Sequence, residues 1–181
     1  MKKRITALLL ASALAWAQDL SVGKILVAGN KVQDADFRQT VILLVRHDPQ
    51  TTIGLFVNRP LNIPLSEVYP DLKGGDLKLY AGGPVAVGIR ALYRSRAKPA
   101  EAAPILADVC MISTKTLLGK MVADGPASGV LRVYAGYTGW SPGQLQDEIA
   151  RGLWRVLPGD ATVIFDPHPE TVWPRLIGRG K

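Results

Sequence analysis

The sequence predicts one α+β domain, a single compact unit in which a mixed β-sheet is flanked by helices. Three observations lead there. Two short apolar runs, Thr40 to Val45 and Thr52 to Val57, are joined by the polar turn Arg46-His47-Asp48-Pro49. Neither run alternates, which is the pattern of neighbouring strands buried on both faces, and helices must then cover those faces. Ser141-Pro142-Gly143-Gln144 carries helix-start chemistry ahead of apolar residues at four-residue spacing. No repeat or linker divides the 181 residues, a length suited to one core rather than two.

Residues 1–17 read as a leader. Lys2, Lys3 and Arg4 form a basic start, Ile5 to Leu14 an apolar core, and Ala15-Trp16-Ala17 a small-x-small cleavage pattern. The apolar core is far shorter than the roughly 20 residues of a spanning helix. Cleavage after Ala17 predicts a mature domain over 18–181, periplasmic or secreted, beginning at Gln18. No cysteine stands at the cut, so a lipid anchor of the bacterial lipoprotein kind is not expected. No later apolar segment approaches membrane length either, so a soluble protein is expected.

Along the mature part, Lys24 to Ala28 reads as a first strand, followed by the two buried runs. Leu65 to Tyr69, between Pro64 and Pro70, allows at most a short helix. Leu77 to Tyr80 and Ile89 to Tyr93 read as strands either side of Gly82-Gly83-Pro84. Lys98 to Pro104 is rich in Ala and Pro and reads as a projecting loop, and Val109 to Ile112 as a strand. Thr116 to Ala123 places Leu117, Leu118, Met121 and Val122 on one helical stripe, stopped by Gly125-Pro126. Leu131 to Ala135 is a strand. The next helix is expected to have Ser141 as N-cap, Pro142 in the first position and Gln144 closing a capping box. Its Leu145, Ile149 and Leu153 face one side, and Asp147 is placed to pair with Arg151. Ala161 to Phe165 reads as a last strand and Thr171 to Ile177 as a terminal helical turn.

Charge narrows the function classes. Three of the 22 basic residues and none of the 15 acidic ones lie in the leader, so the net charge of +7 shrinks to +4 on cleavage. The remaining cations are scattered, which makes nucleic acid an unexpected partner. Cys110, the only cysteine, sits in the apolar run Val109-Cys110-Met111-Ile112 and reads as a small buried hydrophobe.

Gly139-Trp140-Ser141-Pro142-Gly143 matches G-x-S-x-G, the nucleophile elbow of α/β-hydrolases. That elbow uses the N–H of the residue after the serine as an oxyanion donor, and Pro142 has none. The helix-cap reading explains Ser141, Pro142 and Gln144 together, so no catalytic residue is assigned. His47-Asp48 and Asp166-x-His168-x-Glu170 lie in proline-flanked turns where Asp and His are ordinary, and no metal ligand is assigned. Gly82-Gly83-Pro84 lacks the Lys-Ser/Thr helix start of a phosphate loop, and no cofactor is expected.

The residues nonetheless spell a family. Gly23-x-Ile25-Leu26-Val27-Ala28, Asp36-x-x-x-Thr40-Val41-Ile42-Leu43-Leu44 with His47, and Gly54-Leu55-x-Val57-Asn58-Arg59-Pro60 resemble the front half of the YqgE/AlgH family. Gly82-Gly83-Pro84-Val85 is similar to its central motif. Gly136-Tyr137-x-Gly139-Trp140-x-Pro142-Gly143-Gln144-Leu145-x-x-Glu148-Ile149-x-x-Gly152-x-Trp154 is similar to its most distinctive one. The resemblance implies a compact α+β domain with a mixed sheet. Some members are labelled transcriptional regulators on genetic grounds, and no catalytic residues or cofactor are established for the family. Relatives are typically cytoplasmic, so an exported copy departs from them, and no helix-turn-helix pattern supports a DNA reader.

The motifs mark candidate ligand- or partner-binding positions. Pro60 biases Arg59 toward extended backbone at a strand end, with the Asn58 amide beside it. Gly82 and Gly83 permit close backbone approach. Tyr137 and Trp140 offer aromatic surface next to a helix start, which attracts anions. Each position also reads as a turn, a cap or a packed ring. The expectation is a non-catalytic binding or accessory protein whose partner is another protein or a small anionic ligand. A small hydrolase is the alternative, and a DNA-binding regulator comes third.

Overall fold

In the computed structural model, residues 20–72, 77–96, 99–124 and 131–178 are described. The expected leader with Gln18, the expected Gly125-Pro126 helix stop and Lys98 lie outside them. Strands β1 (Ile25–Ala28), β2 (Val41–His47) and β3 (Thr52–Phe56) form an antiparallel meander from the three apolar runs. Val41 to Val45 of β2 are all buried, as the unalternating sequence requires. Odd and even residues enter different layers: Val41, Leu43 and Val45 join Ile25 and Val27 on one face. Ile42 and Leu44 join Leu26 and Ala28 on the other.

Next come β4 (Pro60–Pro64), α1 (Leu65–Val68), β5 (Lys78–Ala81) and β6 (Val85–Arg94), then β7 (Ala103–Leu106), β8 (Val109–Ile112), α2 (Lys115–Ala123) and β9 (Leu131–Trp140). The chain closes with α3 (Gln144–Ala150), β10 (Trp154–Leu157), α4 (Ala161–Ile164) and α5 (Pro169–Gly178). The strands form one curled, half-barrel sheet in the order β10-β1-β2-β3-β9-β6-β8-β7. Its parallel pairing, β5 with β9, makes it mixed. The long β9 organises the sheet: β6 runs along one side, while β5 and β3 occupy successive stretches of the other.

Helices close the faces. Leu117, Leu118 and Val122 of α2 cover Leu79, Ala91, Ile112, Leu131 and Val133, and the Thr114 hydroxyl accepts the Leu117 N–H at 3.3 Å as N-cap. Leu145 and Ile149 of α3 pack with Trp140 and Trp154 over Ile42 and Leu44. On the opposite face lie Val163 and Ile164 of α4 with Val172 and Leu176 of α5. Cys110 is fully buried, as its apolar context indicates.

Four local expectations are corrected. Ala161 to Ile164 is helical, not a strand: the Asp160 carboxylate accepts the Thr162 N–H at 2.8 Å and its hydroxyl at 2.7 Å, and this cap overrides the β-branched run. Helix α3 starts at Gln144 behind Gly143, whose φ of 79° is left-handed, so Ser141 is not its N-cap. Half of the anticipated box survives: the Ser141 N–H donates to Gln144 Oε1 at 3.2 Å, and the hydroxyl donates to the same oxygen at 3.1 Å. Arg151 reaches the Asp147 carbonyl rather than its carboxylate. The Ala- and Pro-rich stretch ends in β7, an edge strand that tolerates Pro104.

The Asp160 cap yields a pH-dependent expectation. The Thr162 hydroxyl first, then the Thr162 and Val163 N–H groups, hold its carboxyl below the usual range. A depressed native pKa stabilises the fold above the ordinary carboxylate value, and that contribution disappears as the pH falls through the native one. Asp160→Ala should therefore cost about 1 kcal/mol at pH 7. Urea midpoints of mutant and wild type should converge as the pH drops below about 4; a gap unchanged in acid would show that the ionised carboxylate contributes nothing.

Candidate functional site

Asn58 follows β3 and is 7% exposed. Its Oδ1 accepts the Val41 N–H at 2.8 Å, and its Nδ2 donates to the Gln39 carbonyl at 2.9 Å. Gln39 has a φ of 59°, the only positive φ outside glycine among the described residues. The amide thus clamps the chain where it turns into β2, satisfying the Val41 N–H that burial would otherwise strand and pinning the exposed Gln39 carbonyl.

Arg59 sits where the chain passes from β3 to β4. Its carbonyl accepts the Ala81 N–H at 2.8 Å, and its Nη2 donates to the Arg38 carbonyl at 2.5 Å. Gly82 follows directly: its N–H donates to the Ala135 carbonyl at 2.7 Å, and its carbonyl accepts the Phe56 N–H at 3.0 Å. It therefore stitches β3 to β9 in the interval between the β5 and β3 pairings. Gly83 lies against the Tyr137–Thr138 backbone, so close that a Cβ there would stand 2.3 Å from Tyr137 C. Tyr137 is half-buried and carries the Arg90 guanidinium over its ring at 4.5 Å.

Trp140 stands apart from this group. It pairs with Thr52, at the far end of β3 from Asn58, about 20 Å along the chain. It is 4% exposed, and its indole N–H donates to Glu148 Oε2 at 2.9 Å. Trp154 donates to the same oxygen at 2.7 Å, while Gln144 Nε2 donates to Glu148 Oε1 at 3.0 Å. One carboxylate thus binds two indoles that meet edge to face at 6.2 Å. The structure gathers Asn58, Arg59, Gly82, Gly83 and Tyr137 and sets Trp140 into the α3 core.

Pairing of Thr52 with Trp140 has a second consequence. It brings the 48–51 turn against the start of α3, so His47, Asp48, Thr51, Ser141 and Gln146 line one pocket of about 280 Å³. His47 Nδ1 lies 2.8 Å from the Thr52 hydroxyl. Asp48 accepts the Gln50 and Thr51 N–H groups and pairs with Arg46; the Gln50 bond, with Arg46 behind it, holds its carboxyl below the usual range. No hydrogen bond joins His47 to Ser141 among the described residues, and the serine hydroxyl donates to Gln144. Residues 94 positions apart give no sequence signal of this meeting, which depends on the β3–β9 register.

The other polar motif is dispersed. Asp166 accepts the His168 N–H at 2.8 Å and pairs with Arg175, while His168 and Glu170 stand 3.7 Å apart and exposed. Burial works against the charged form of Asp166, but the His168 N–H and Arg175 outweigh it and hold the carboxyl below its usual range. Among the described residues no three His, Cys, Asp or Glu side chains come together as metal ligands.

Comparison with known proteins agrees with the motifs. The profile of the AlgH-like family, DUF179, matches residues 25–180. A UPF0301 protein of Methylococcus capsulatus is 36% identical over 161 residues, covering 86% of this chain and 88% of its own length. One of Streptomyces coelicolor is 31% identical over 172 residues, covering 87% and 85%. The solution structure of the AlgH protein of Pseudomonas aeruginosa superposes with a TM-score of 0.70 at 28% identity, over 88% of each chain. The crystal structure of protein DIP2367 of Corynebacterium diphtheriae gives 0.75 at 24% identity, over 90% and 88%. With a family profile spanning nearly the whole domain and relatives alike in length, the chain belongs to the AlgH-like family.

Proposed function

We propose that residues 18–181 form an exported, non-catalytic binding or accessory protein, and that Arg59 is the residue that meets its partner. One observation carries the reading. Of the six motif residues, Arg59 alone offers a charged side chain, which among the described residues is held at the end of a strand by one bond, to the Arg38 carbonyl. A guanidinium fixed in direction suits a carboxylate or phosphate, on a protein or on a small molecule. Gly82, Gly83 and Asn58 act as the frame that sets this strand end. Arg59→Ala should weaken cross-linking to an envelope partner at least about tenfold while leaving the melting temperature within a few degrees. Unfolding of the variant, or undiminished cross-linking, would overturn the assignment. Export itself is tested by fractionation with N-terminal sequencing; an intact Met1 in the cytosolic fraction sinks it.

A second reading, a small hydrolase, is favoured by one observation: His47 and Ser141 share a pocket. Against it, the Ser141 hydroxyl is engaged by Gln144, and Pro142 supplies no oxyanion donor. The expected outcome is no labelling of Ser141 by a fluorophosphonate probe. Stoichiometric labelling, abolished in His47→Ala, would establish the hydrolase instead.

A further inference from the structure

At the other end of β6 from Tyr137, roughly 25 Å along the strand, a cleft of about 910 Å³ opens between the β7–β8 turn, β10 and α4. Its size is that of a small-molecule site. Ile25, Leu106, Leu157, Val163 and Leu176 give it an apolar lining. Four charged residues, Arg94, Asp108, Arg155 and Asp160, reach it as well, and their commitments differ. Arg94 Nε donates to Asp108 Oδ2 at 2.8 Å, so those two charges neutralise each other. Asp160 is engaged at the first turn of α4 by Thr162.

Arg155 is the exception. Its Nη2 donates to the Leu176 carbonyl in the last turn of α5, and among the described residues no carboxylate pairs with it. Its Nε is buried and has no acceptor. A partly buried cation without a counter-charge is costly to the free protein, and an anion meeting Arg155 from the cleft it lines offsets that cost, the buried Nε itself being out of reach. The apolar walls beside it ask for a hydrocarbon body rather than a bare ion.

We infer that this cleft binds a small amphipathic carboxylate, its anionic head at Arg155 and its apolar tail along Leu157, Val163 and Leu176. The site is separate from Arg59 and needs no reaction. Burying four or five methylenes and meeting one guanidinium supports millimolar to submillimolar affinity after the cost of association.

The test titrates the purified chain with octanoate and, in parallel, with octanol, following amide shifts of Gly159 and Thr162 by NMR. Octanoate should move them with a midpoint at or below about 1 mM, and octanol should bind at least about tenfold more weakly. Arg155→Met should bring octanoate down to the octanol level. Ala107→Trp, on the exposed β7–β8 turn, should block both ligands without touching the core. Should Arg155→Met fail to fold, the octanoate–octanol ratio and Ala107→Trp decide alone. Equal binding of the two ligands, no shifts up to about 10 mM, or undiminished binding in Ala107→Trp overturns the proposal.

Discussion

Replacing Arg132 by alanine is expected to destabilise the protein by about 4 kcal/mol, because three buried carbonyls lose their donor at once. Arg132 lies on β9 and is 8% exposed. Its Nη1 donates to the Ile164 carbonyl at 2.7 Å and the Val57 carbonyl at 3.4 Å, and its Nη2 to the Asp166 carbonyl. The guanidinium stacks 4.6 Å from the centre of the Tyr80 ring, with Phe165 at 5.9 Å. It therefore ties the end of α4 to the middle of the sheet. A flat fork with five donors suits three divergent acceptors; an ammonium does not. Arg132→Lys should recover less than half of the loss. Urea unfolding followed by tryptophan fluorescence checks this, and a deficit below about 1 kcal/mol for the alanine variant would show that water replaces the guanidinium at no great cost.

Nothing in the sequence around Arg132 announces that role. Leu131 to Ala135 reads as a strand from its apolar residues, and an arginine among them looks like the solvent-facing position of an alternating pattern. Continuity of apolar residues, by contrast, made β1, β2 and β3 legible, since a strand buried on both faces has no polar position to lose. Strands with little buried surface escaped. The β4 residues Pro60 and Pro64 argue against a strand in general but suit one paired only to β5. Residues Trp154 to Leu157 form β10 because Gly152, at a φ of 73°, reverses the chain after α3 and lays it antiparallel to β1. At Ala161 to Ile164 the β-branched residues pointed the wrong way, since a short segment follows its cap when the tertiary contacts accept either form.

The candidate site was legible as positions and not as roles. The motif spacing marks Asn58, Arg59, Gly82, Gly83, Tyr137 and Trp140. It gives no sign that the Asn58 amide faces inward to Gln39 and Val41, or that Trp140 points to Glu148. Those roles depend on which way each strand turns its side chains, and a one-residue slip in register would reverse them. The same register brings Ser141 beside His47, so the most chemical-looking juxtaposition in the molecule is also the least visible from the chain.

Gly82→Ala is expected to be about as damaging as Arg132→Ala, for a different reason. A Cβ at Gly82 would stand 2.2 Å from the Gly136 carbonyl oxygen and 2.9 Å from its carbonyl carbon. Both are main-chain atoms of β9, which is held on its other side by β6, so no flexible side chain is available to give way. Gly82 itself cannot retreat, because it is bonded to Ala135 on one side and Phe56 on the other. Relief requires β9 to move away from β3 or both hydrogen bonds to break, a disturbance of roughly 4 kcal/mol in a packed sheet. The expected result is loss of the cooperative urea transition, or its displacement by most of the native stability. This outcome also separates the roles at the strand end: Gly82→Ala should fail by unfolding, Arg59→Ala by losing a partner while staying folded. A Gly82→Ala protein that melts within a few degrees of wild type and no longer engages its partner would mean that the glycine is there for the ligand's approach and not for the sheet.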